Sequence, residues 1–209
     1  MIQSIPQLLT FDEFIDWHPE DGRIFELIRG VPTEVNPNGP HETLSGWLSL
    51  ELGIEIRQEK LPFFIPKTAT LKPYRELAGY KPDVVVLDER HMAEEPRWQS
   101  QSTVLHGVSV ALAIEIASTN WRDACELKLG ELKLGDYELM GVREYWIVDY
   151  LGIAAVRHIG RPKRPTLTVH TLDADGEFQM AQFRDAERVI SSSFPSLNLT
   201  AAEILGQAG

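Results

Sequence analysis

The sequence predicts a mixed α/β fold, in which helices flank a central mixed sheet and an antiparallel meander follows at the C-terminal end. The first observation is a strand, helix, strand series: the apolar run "VSVALAIEI", a helical pattern over residues 120–140 and the strand "VREYWIVDY". Such a series predicts two parallel strands joined by a crossover helix. The second observation is a set of short alternating segments late in the chain, separated by turn residues at Arg161-Pro162 and Asp175-Gly176.

The remaining elements follow from local patterns. Thr10 and Glu13 form a capping-box pattern that predicts a short first helix, and "GRIFELIRGVPTEVNP" predicts a hairpin. Apolar residues recur every three or four positions in "HETLSGWLSLELGIEIRQEK", which predicts a second helix. "LPFFIPKTATLKP" and "DVVVLD" predict strands, the second well buried. The meander is expected from "AAVRHIG", "TLTVHTL", "EFQMAQF" and "ERVISSS", and Thr200 caps a last short helix.

Composition narrows the class of protein. A chain of 209 residues with 43% hydrophobic content fits one folded domain over residues 1–209. The formal charge of −11 opposes non-specific adhesion to nucleic acid, so a nucleic-acid role needs a locally basic groove and a bridging cation. The single cysteine, Cys125, favours a reducing cytoplasm. The sequence shows no membrane-length apolar run, signal peptide or Gly-rich nucleotide loop, so we expect neither a membrane nor a nucleotide cofactor.

Two carboxylates stand out against apolar strands. Asp83 follows Pro82 at the head of "DVVVLD", and Glu115 lies near the end of "ALAIEIAS". A charge inside an apolar strand is costly to desolvate, so each acid requires a partner. One reading is an ordinary strand-end acid paired with a lysine or arginine. The other is a pair of hard oxygen ligands for a divalent cation that neutralises a phosphodiester and activates water.

Longer stretches carry a family resemblance. "KPDVVVLD", "AIEIASTNWRDACELK" and "YELMGVREYWIVDYLG", together with "FELIRG", "NGPHETLSGWLSLEL" and "FPSLNLTAAEI", resemble the Uma-type restriction endonuclease family, a branch of the PD-(D/E)XK nuclease superfamily. The resemblance implies a restriction-endonuclease-like fold and hydrolysis of DNA phosphodiesters with Mg²⁺ or Mn²⁺. It implies that Asp83 and Glu115 hold the metal and take part in catalysis. Ala117 stands where the superfamily has its lysine, and in this branch a lysine of the following helix is thought to replace it.

That lysine has two candidates, because "ELKLG" occurs twice in succession. Relatives carry one copy, with the lysine five residues after an aspartate and four before a tyrosine. Lys128 meets the first condition and Lys133 the second, as an insertion within the helix would produce. In a continuous helix Lys133 flanks a buried stripe while Lys128 points to solvent, whereas a break near Gly130 would favour Lys128. We therefore expect Lys133 to be the catalytic lysine, with Lys128 as the alternative.

Two further residues in the family-like stretches are candidates. Glu26 in "FELIRG" is a candidate additional metal ligand, or else a surface acid of the hairpin. His41 in "GPHETL" is a candidate contact to phosphate or water, or else an ordinary residue of a helix start.

A basic cluster and the assembly state complete the expectations. Arg157, Arg161, Lys163 and Arg164 surround a proline-rich turn and form either a loop that tracks phosphates or a solvated hairpin tip. The expected partners are DNA and a second copy of the chain, since paired nucleases cut two strands. The insertion near the site also leaves open an alternative, in which a catalytically lapsed nuclease fold acts as a DNA-binding or assembly module.

Overall fold

The computed structural model describes residues 8–17, 22–117 and 124–208, with only the backbone for 124–131 and 157–158. The helices are α1 (Phe11–Trp17), α2 (Gly39–Glu59), α3 (Trp98–Gln101), α4 (Ala124–Met140), α5 (Val156–Ile159) and α6 (Ala201–Leu205). The strands are β1 (Phe25–Ile28), β2 (Val31–Glu34), β3 (Phe63–Phe64), β4 (Thr70–Leu71), β5 (Val84–Asp88), β6 (Thr103–Val104), β7 (Val110–Ile116), β8 (Glu144–Asp149), β9 (Thr166–Leu172) and β10 (Phe178–Phe183). Short 3-10 turns cover Glu89–Glu94, Gly107–Ser109 and Gly206–Ala208.

A six-stranded mixed sheet forms the centre, in the order β10-β9-β8-β7-β5-β3. Strands β7 and β8 are parallel and are joined through α4, which confirms the predicted crossover unit. Strands β8, β9 and β10 are antiparallel neighbours, and they form the predicted meander. Helices on both faces of a mixed sheet confirm the predicted fold class.

Alternation along the strands creates two hydrophobic clusters, one on each face of the sheet. Ile114 and Trp146 face α2 and α6, where they pack with Leu48 and Ile204. Ala113 and Tyr145 face the other way and pack with Tyr137 of α4. Because successive strand residues point to opposite faces, Glu115 shares the α4 face with Ala113. The side chain of Glu115 is therefore directed toward the crossover helix.

The N-terminal hairpin docks against the chain that leads into β5. Strands β1 and β2 pair antiparallel, as predicted. Leu27 of β1 exchanges backbone hydrogen bonds with Gly79, at 2.8 and 3.0 Å. An added Cβ at Gly79 would lie 2.6 Å from the ring of Phe11, so this close approach requires glycine. The docking carries Glu26 into the molecule.

Two of the four expected late strands are wrong. In "AAVRHIG" the segment Val156–Ile159 is helical, with the Ile159 amide bonded to the Ala155 carbonyl at 3.2 Å. Ala154 and Val156 alternate as in a strand, but Val156 and Ile159 are three residues apart, as on one face of a helix. "ERVISSS" forms no strand; one bridge joins Arg188 to Thr200.

The serines of "ERVISSS" bond to Glu144 of β8 instead of forming a strand. The hydroxyl of Ser192 and the amide of Ser193 donate to Glu144, at 2.6 and 2.9 Å. The predicted last helix is present, with Thr200 and Glu203 in a reciprocal capping box. Within the described ranges, no helix has the length and apolar character needed to span a bilayer.

Candidate active site

Asp83 lies just before β5, and Glu115 lies near the end of the neighbouring antiparallel strand β7. Both acids are therefore at the same end of the sheet's interior strands. Asp83 immediately precedes Val84, which pairs with Ile114, the residue before Glu115. Asp83 Oδ2 accepts a 2.6 Å hydrogen bond from the amide of Ile116. The pairing places Asp83 beside Glu115, where Asp83 also contacts His41 of α2. Two acids separated by more than thirty residues in sequence thus converge at the end of β7.

Lys133 reaches Glu115 from α4. Its Nζ donates to both carboxylate oxygens of Glu115 at 2.9 Å, and to Oε1 of Glu26 at 2.9 Å. The side chain is only 7% exposed, so the ammonium is almost fully enclosed by its partners. The structure therefore brings together Glu115, Lys133 and Glu26, the candidate additional metal ligand.

The helix runs without a break through Gly130. Its buried residues in the last three turns are Lys133, Asp136, Tyr137 and Met140. This spacing of three and four residues defines one helix face, and Lys133 lies within that face rather than on its flank. Leu139 is exposed. Lys128 belongs to the same helix, but its side chain lies outside the described residues.

Glu26 is a buried acid and not a surface residue of the hairpin. It is 4% exposed, and its Oε1 also accepts a 2.7 Å hydrogen bond from the Lys81 amide. The docking of β1 onto Gly79 explains the difference, because it covers β1 with the segment that leads to Asp83. Sequence alone carried no sign of this long-range contact.

His41 supports Asp83 from the first turn of α2. The helix begins at the N-cap residue Asn38, whose side chain accepts a 3.0 Å hydrogen bond from the His41 amide. The Nε2 atom of His41 lies 3.1 Å from Asp83 Oδ2, while Nδ1 has no hydrogen-bond partner among the described residues. Burial would lower the pKa of His41, but the bond to Asp83 raises it overall. His41 therefore contacts the candidate ligand directly.

An aromatic wall around Lys133 was not anticipated from the sequence. The Tyr137 hydroxyl donates to Glu115 Oε1 at 3.3 Å, and the Tyr80 ring centroid lies 5.4 Å from the Lys133 ammonium. The Tyr80 hydroxyl donates to Asp136 Oδ2 at 2.7 Å. Asp136 and Tyr137 follow Lys133 by three and four residues, the spacing of one helix face, and this was the available signal.

The site holds more negative than positive charge. Burial raises the pKa of Glu115, and Asp83 and Glu26 add to this rise, while the Lys133 ammonium opposes it. Burial would lower the pKa of Lys133, but Glu115 and Glu26 raise it above its usual value. Lys133 therefore remains an ammonium at neutral pH, shared between two carboxylates.

The donor set suits a hard divalent cation in its chemistry. Asp83, Glu115 and Glu26 offer carboxylate oxygens, the ligands that Mg²⁺ and Mn²⁺ take, and no described residue donates to Asp83 Oδ1. In this structure two of these acids, Glu115 and Glu26, accept hydrogen bonds from Lys133. Among the described residues, no three acidic, histidine or cysteine side chains are grouped as a metal-binding cluster.

The basic cluster lies on the connection between β8 and β9. This connection leaves the sheet at the edge where β7 ends, because β7 and β8 are parallel. Lys163 Nζ donates to the Ile153 carbonyl at 3.1 Å, and Arg164 pairs with Asp185 at 3.1 Å. Arg161 is exposed, and the side chain of Arg157 is not described. No described contact joins this cluster to Asp83, Glu115 or Lys133.

Comparison with known proteins identifies the family of the chain and a solved structure with a similar fold. A mixed sheet with acids at one edge and a crossover helix beside them defines a nuclease-fold protein. The chain belongs to the Uma2 family, described as "putative restriction endonuclease", whose sequence model matches residues 11–202.

A solved structure shares the fold. It is the crystal structure of "a putative nuclease belonging to DUF820" from Anabaena variabilis ATCC 29413, which is 18% identical and superposes with a TM-score of 0.66. The match covers 96% of this chain and 99% of that one. A search of curated proteins gave no match.

Proposed function

We propose that the protein is a divalent-metal-dependent endonuclease that hydrolyses phosphodiester bonds in DNA. Membership of the Uma2 family supports a nuclease. The observation that carries the proposal is the enclosed contact of Lys133 with Glu115 and Glu26, beside Asp83 at the same sheet edge. A buried ion pair adds little stability over an apolar core, so a buried acid, lysine, acid cluster is better explained by chemistry.

Asp83 and Glu115 would hold the cation, with Glu26 as a third carboxylate. Bound there, Mg²⁺ or Mn²⁺ would supply charge neutralisation at the phosphodiester and a more acidic water. His41 and the Ile116 amide fix the orientation of Asp83 through Oδ2. The other oxygen of Asp83, to which no described residue donates, would take the cation.

Lys133 would act as a hydrogen-bond donor rather than as a base. Its raised pKa keeps the ammonium protonated, so it can stabilise negative charge that develops on the phosphate oxygens. The Tyr80 ring and Tyr137 hydroxyl restrict the space around it. In hydrolysis the water oxygen bonds to phosphorus, the phosphorus–oxygen ester bond breaks, and the strand oxygen leaves with a proton.

The formal charge of −11 requires local cations where DNA approaches. Arg157, Arg161, Lys163 and Arg164 are proposed contacts to the phosphate backbone, on a loop at the sheet edge that carries Glu115. The exposed positions of Arg161, Lys163 and Arg164 suit contacts to backbone phosphates better than base reading.

Nicking of a closed circular plasmid tests the proposal, because only an internal cut can relax it. We expect purified protein to nick the plasmid with Mg²⁺ or Mn²⁺ and not with EDTA. Asp83→Ala and Glu115→Gln should each lower the rate at least about 100-fold, the scale of losing a group that stabilises the transition state. Asp175→Ala, which removes an exposed acid from a distant turn, should leave the rate unchanged.

Intact plasmid under every metal condition, with wild-type protein that is folded, would contradict the proposal. The nuclease-fold protein would then act as a DNA-binding or assembly module without cleavage.

Assembly and location are proposals of the same kind. We infer a homodimer, since β10 forms one outer strand of the six-stranded sheet and can pair with a second copy. The single cysteine is consistent with action in a reducing cytoplasm.

A further inference from the structure

Two arginines, Arg29 and Arg75, line a cavity that also includes Leu132 of α4. This open cavity of about 220 Å³ is lined by Arg29, Arg75, Glu76, Leu77, Ala78 and Leu132. Leu132 directly precedes Lys133, so the cavity adjoins the candidate active site along α4.

Arg75 is an exposed arginine held by a buried acid. Its Nε donates to Asp136 Oδ1, and Asp136 is 1% exposed although the Arg75 side chain is 57% exposed. No described residue accepts from the two terminal nitrogens of Arg75. Burying a carboxylate is costly, and here it fixes the direction of a guanidinium whose outer face remains free. A pre-oriented guanidinium fork matches the oxygens of a phosphate.

Arg29 reaches the same cavity from the hairpin turn. Its backbone is left-handed, with φ of 51°, and the turn is tied down by Gly30, whose amide bonds to the Leu77 carbonyl and whose carbonyl accepts from Leu9, both at 2.8 Å. The guanidinium of Arg29 has no hydrogen bond or ion pair to any described residue. Two arginines on separate fixed segments therefore line one cavity, with donor groups that no described residue occupies.

The cavity stands close to where the cleaved phosphate would lie. Asp136 is three residues beyond Lys133, about 4.5 Å along the helix axis. Tyr80 contacts Lys133 and bonds to Asp136, which in turn holds Arg75. A phosphate bound by Arg75 would thus be close to the phosphate at Lys133.

We propose that Arg29 and Arg75 bind a backbone phosphate of the DNA strand that is cut, next to the phosphate at which cleavage occurs. This assignment rests on the proposed function for its substrate class. Glu76 also lines the cavity and Asp136 holds Arg75, so two acids balance the two arginines, and the recognition comes from the arrangement of the guanidinium groups. Removal of the Glu76 charge should then tighten DNA binding.

The test measures binding of a fluorescent DNA duplex by anisotropy at several KCl concentrations, with Ca²⁺ and with EDTA. Each lost phosphate contact should reduce the slope of log affinity against log salt by about 0.9 and weaken binding about fivefold near 0.15 M salt. We expect this change for Arg29→Ala and for Arg75→Ala, and tighter binding for Glu76→Gln. Arg29→Ala breaks no described contact, so it tests the proposal even if Arg75→Ala unfolds.

The matched control is Arg57→Ala. Arg57 is exposed near the end of α2, and Arg57 and His41 are about 24 Å apart along that helix. Its removal should leave the salt slope unchanged. Unchanged slopes for Arg29→Ala and Arg75→Ala, or an equal effect of Arg57→Ala, would overturn the proposal.

Further comparisons separate this site from catalysis. If wild-type protein shows the arginine-dependent slope yet cuts no plasmid, the phosphate site stands and the proposed endonuclease activity fails. If the protein cuts DNA while both arginine variants keep the wild-type slope, only the phosphate site fails. Absence of any DNA binding would contradict both. Competition by inorganic phosphate, beyond that of KCl at equal ionic strength, would assign the cavity to a free anion and overturn a strand contact.

Discussion

At the residue scale, the site is built around one ammonium shared by two buried carboxylates. Lys133 lies 2.9 Å from Glu115 and from Glu26, and Tyr137 completes the contacts of Glu115. With the ammonium removed, two like charges would remain buried close together. Lys133 therefore has both an electrostatic and a catalytic part in our account.

The lysine assignment gives the first prediction. Lys133→Ala should lower the DNA cleavage rate about 100- to 1,000-fold, because the donor to the developing charge is lost. It should also lower the free energy of unfolding by about 3 kcal/mol, since a buried pair loses one partner. Plasmid nicking and urea unfolding measure the two effects.

Lys128→Ala is the matched control, since it removes the same side chain from the other copy of "ELKLG". It should retain cleavage and stability. The reverse pattern would show that the catalytic lysine is the one in the first copy.

Some site residues could be predicted from the sequence and others could not. The acids at strand ends, Asp83 and Glu115, were accessible because charge in an apolar strand is costly. Glu26 was a candidate only through the family-like stretch around it, and Tyr80 was not anticipated, because the burial of Glu26 depends on contacts between the hairpin and a segment about fifty residues away. Local patterns carry no information on such contacts.

At the element scale, β5 ends in a carboxylate that clamps the turn beyond it. Asp88 is fully buried and accepts from Arg90 at 2.8 Å and from Arg143 at 3.2 Å. Bonds from Arg90, opposed by burial and aided by Arg143, lower the pKa of Asp88 to about 2. Because the folded-state pKa lies below the usual 3.8, the clamp stabilises the fold above about pH 4 and loses its effect as the pH falls toward 2.

The second prediction follows from the lowered pKa of Asp88. Asp88→Asn should lower the free energy of unfolding at pH 7 by about 2 kcal/mol, the value of a pKa lowered from 3.8 to about 2. The difference from wild type should shrink as the pH approaches 2. Urea unfolding at pH 7, 4 and 2.5 measures it, and a difference that grows in acid would refute the clamp.

Elements with a long periodic pattern or a specific capping or turn signal were predictable, and two short late segments were not. The crossover series from β7 to β8 and the capped helix α6 follow from patterns that only one structure satisfies. Residues 154–160 have an apolar spacing that fits both strand and helix, and the sheet had no place for another strand there. "ERVISSS" alternates, but its serines bond to Glu144 and to the Ala111 carbonyl instead of to a neighbouring strand.

At the scale of the whole molecule, the edges of the sheet bear on assembly. Strand β10 has one neighbour, β9, and most of its residues are exposed or half-buried. An edge with unpaired backbone groups is a template for pairing with a second chain. Two copies joined there would carry two active sites, as double-strand cleavage requires.

The third prediction is a homodimer in solution. Light scattering coupled to gel filtration should give about twice the chain mass of 23.6 kDa. Ala181→Pro, at an exposed position in β10, should shift the protein toward the monomer, because proline blocks pairing. A wild-type mass near 24 kDa at all concentrations would remove the homodimer.

Metal binding at Asp83 and Glu115 is the central claim, and calorimetric titration of Mn²⁺ into the purified protein tests it most directly. We predict saturable binding by wild-type protein, and at least about 100-fold weaker binding by Asp83→Ala, because loss of a ligand should cost no less than loss of a residue that orients one. Asp175→Ala, an exposed acid on a distant turn, should bind as wild type does. Equal Mn²⁺ affinity in wild type and Asp83→Ala, or no binding by wild type, would contradict the account.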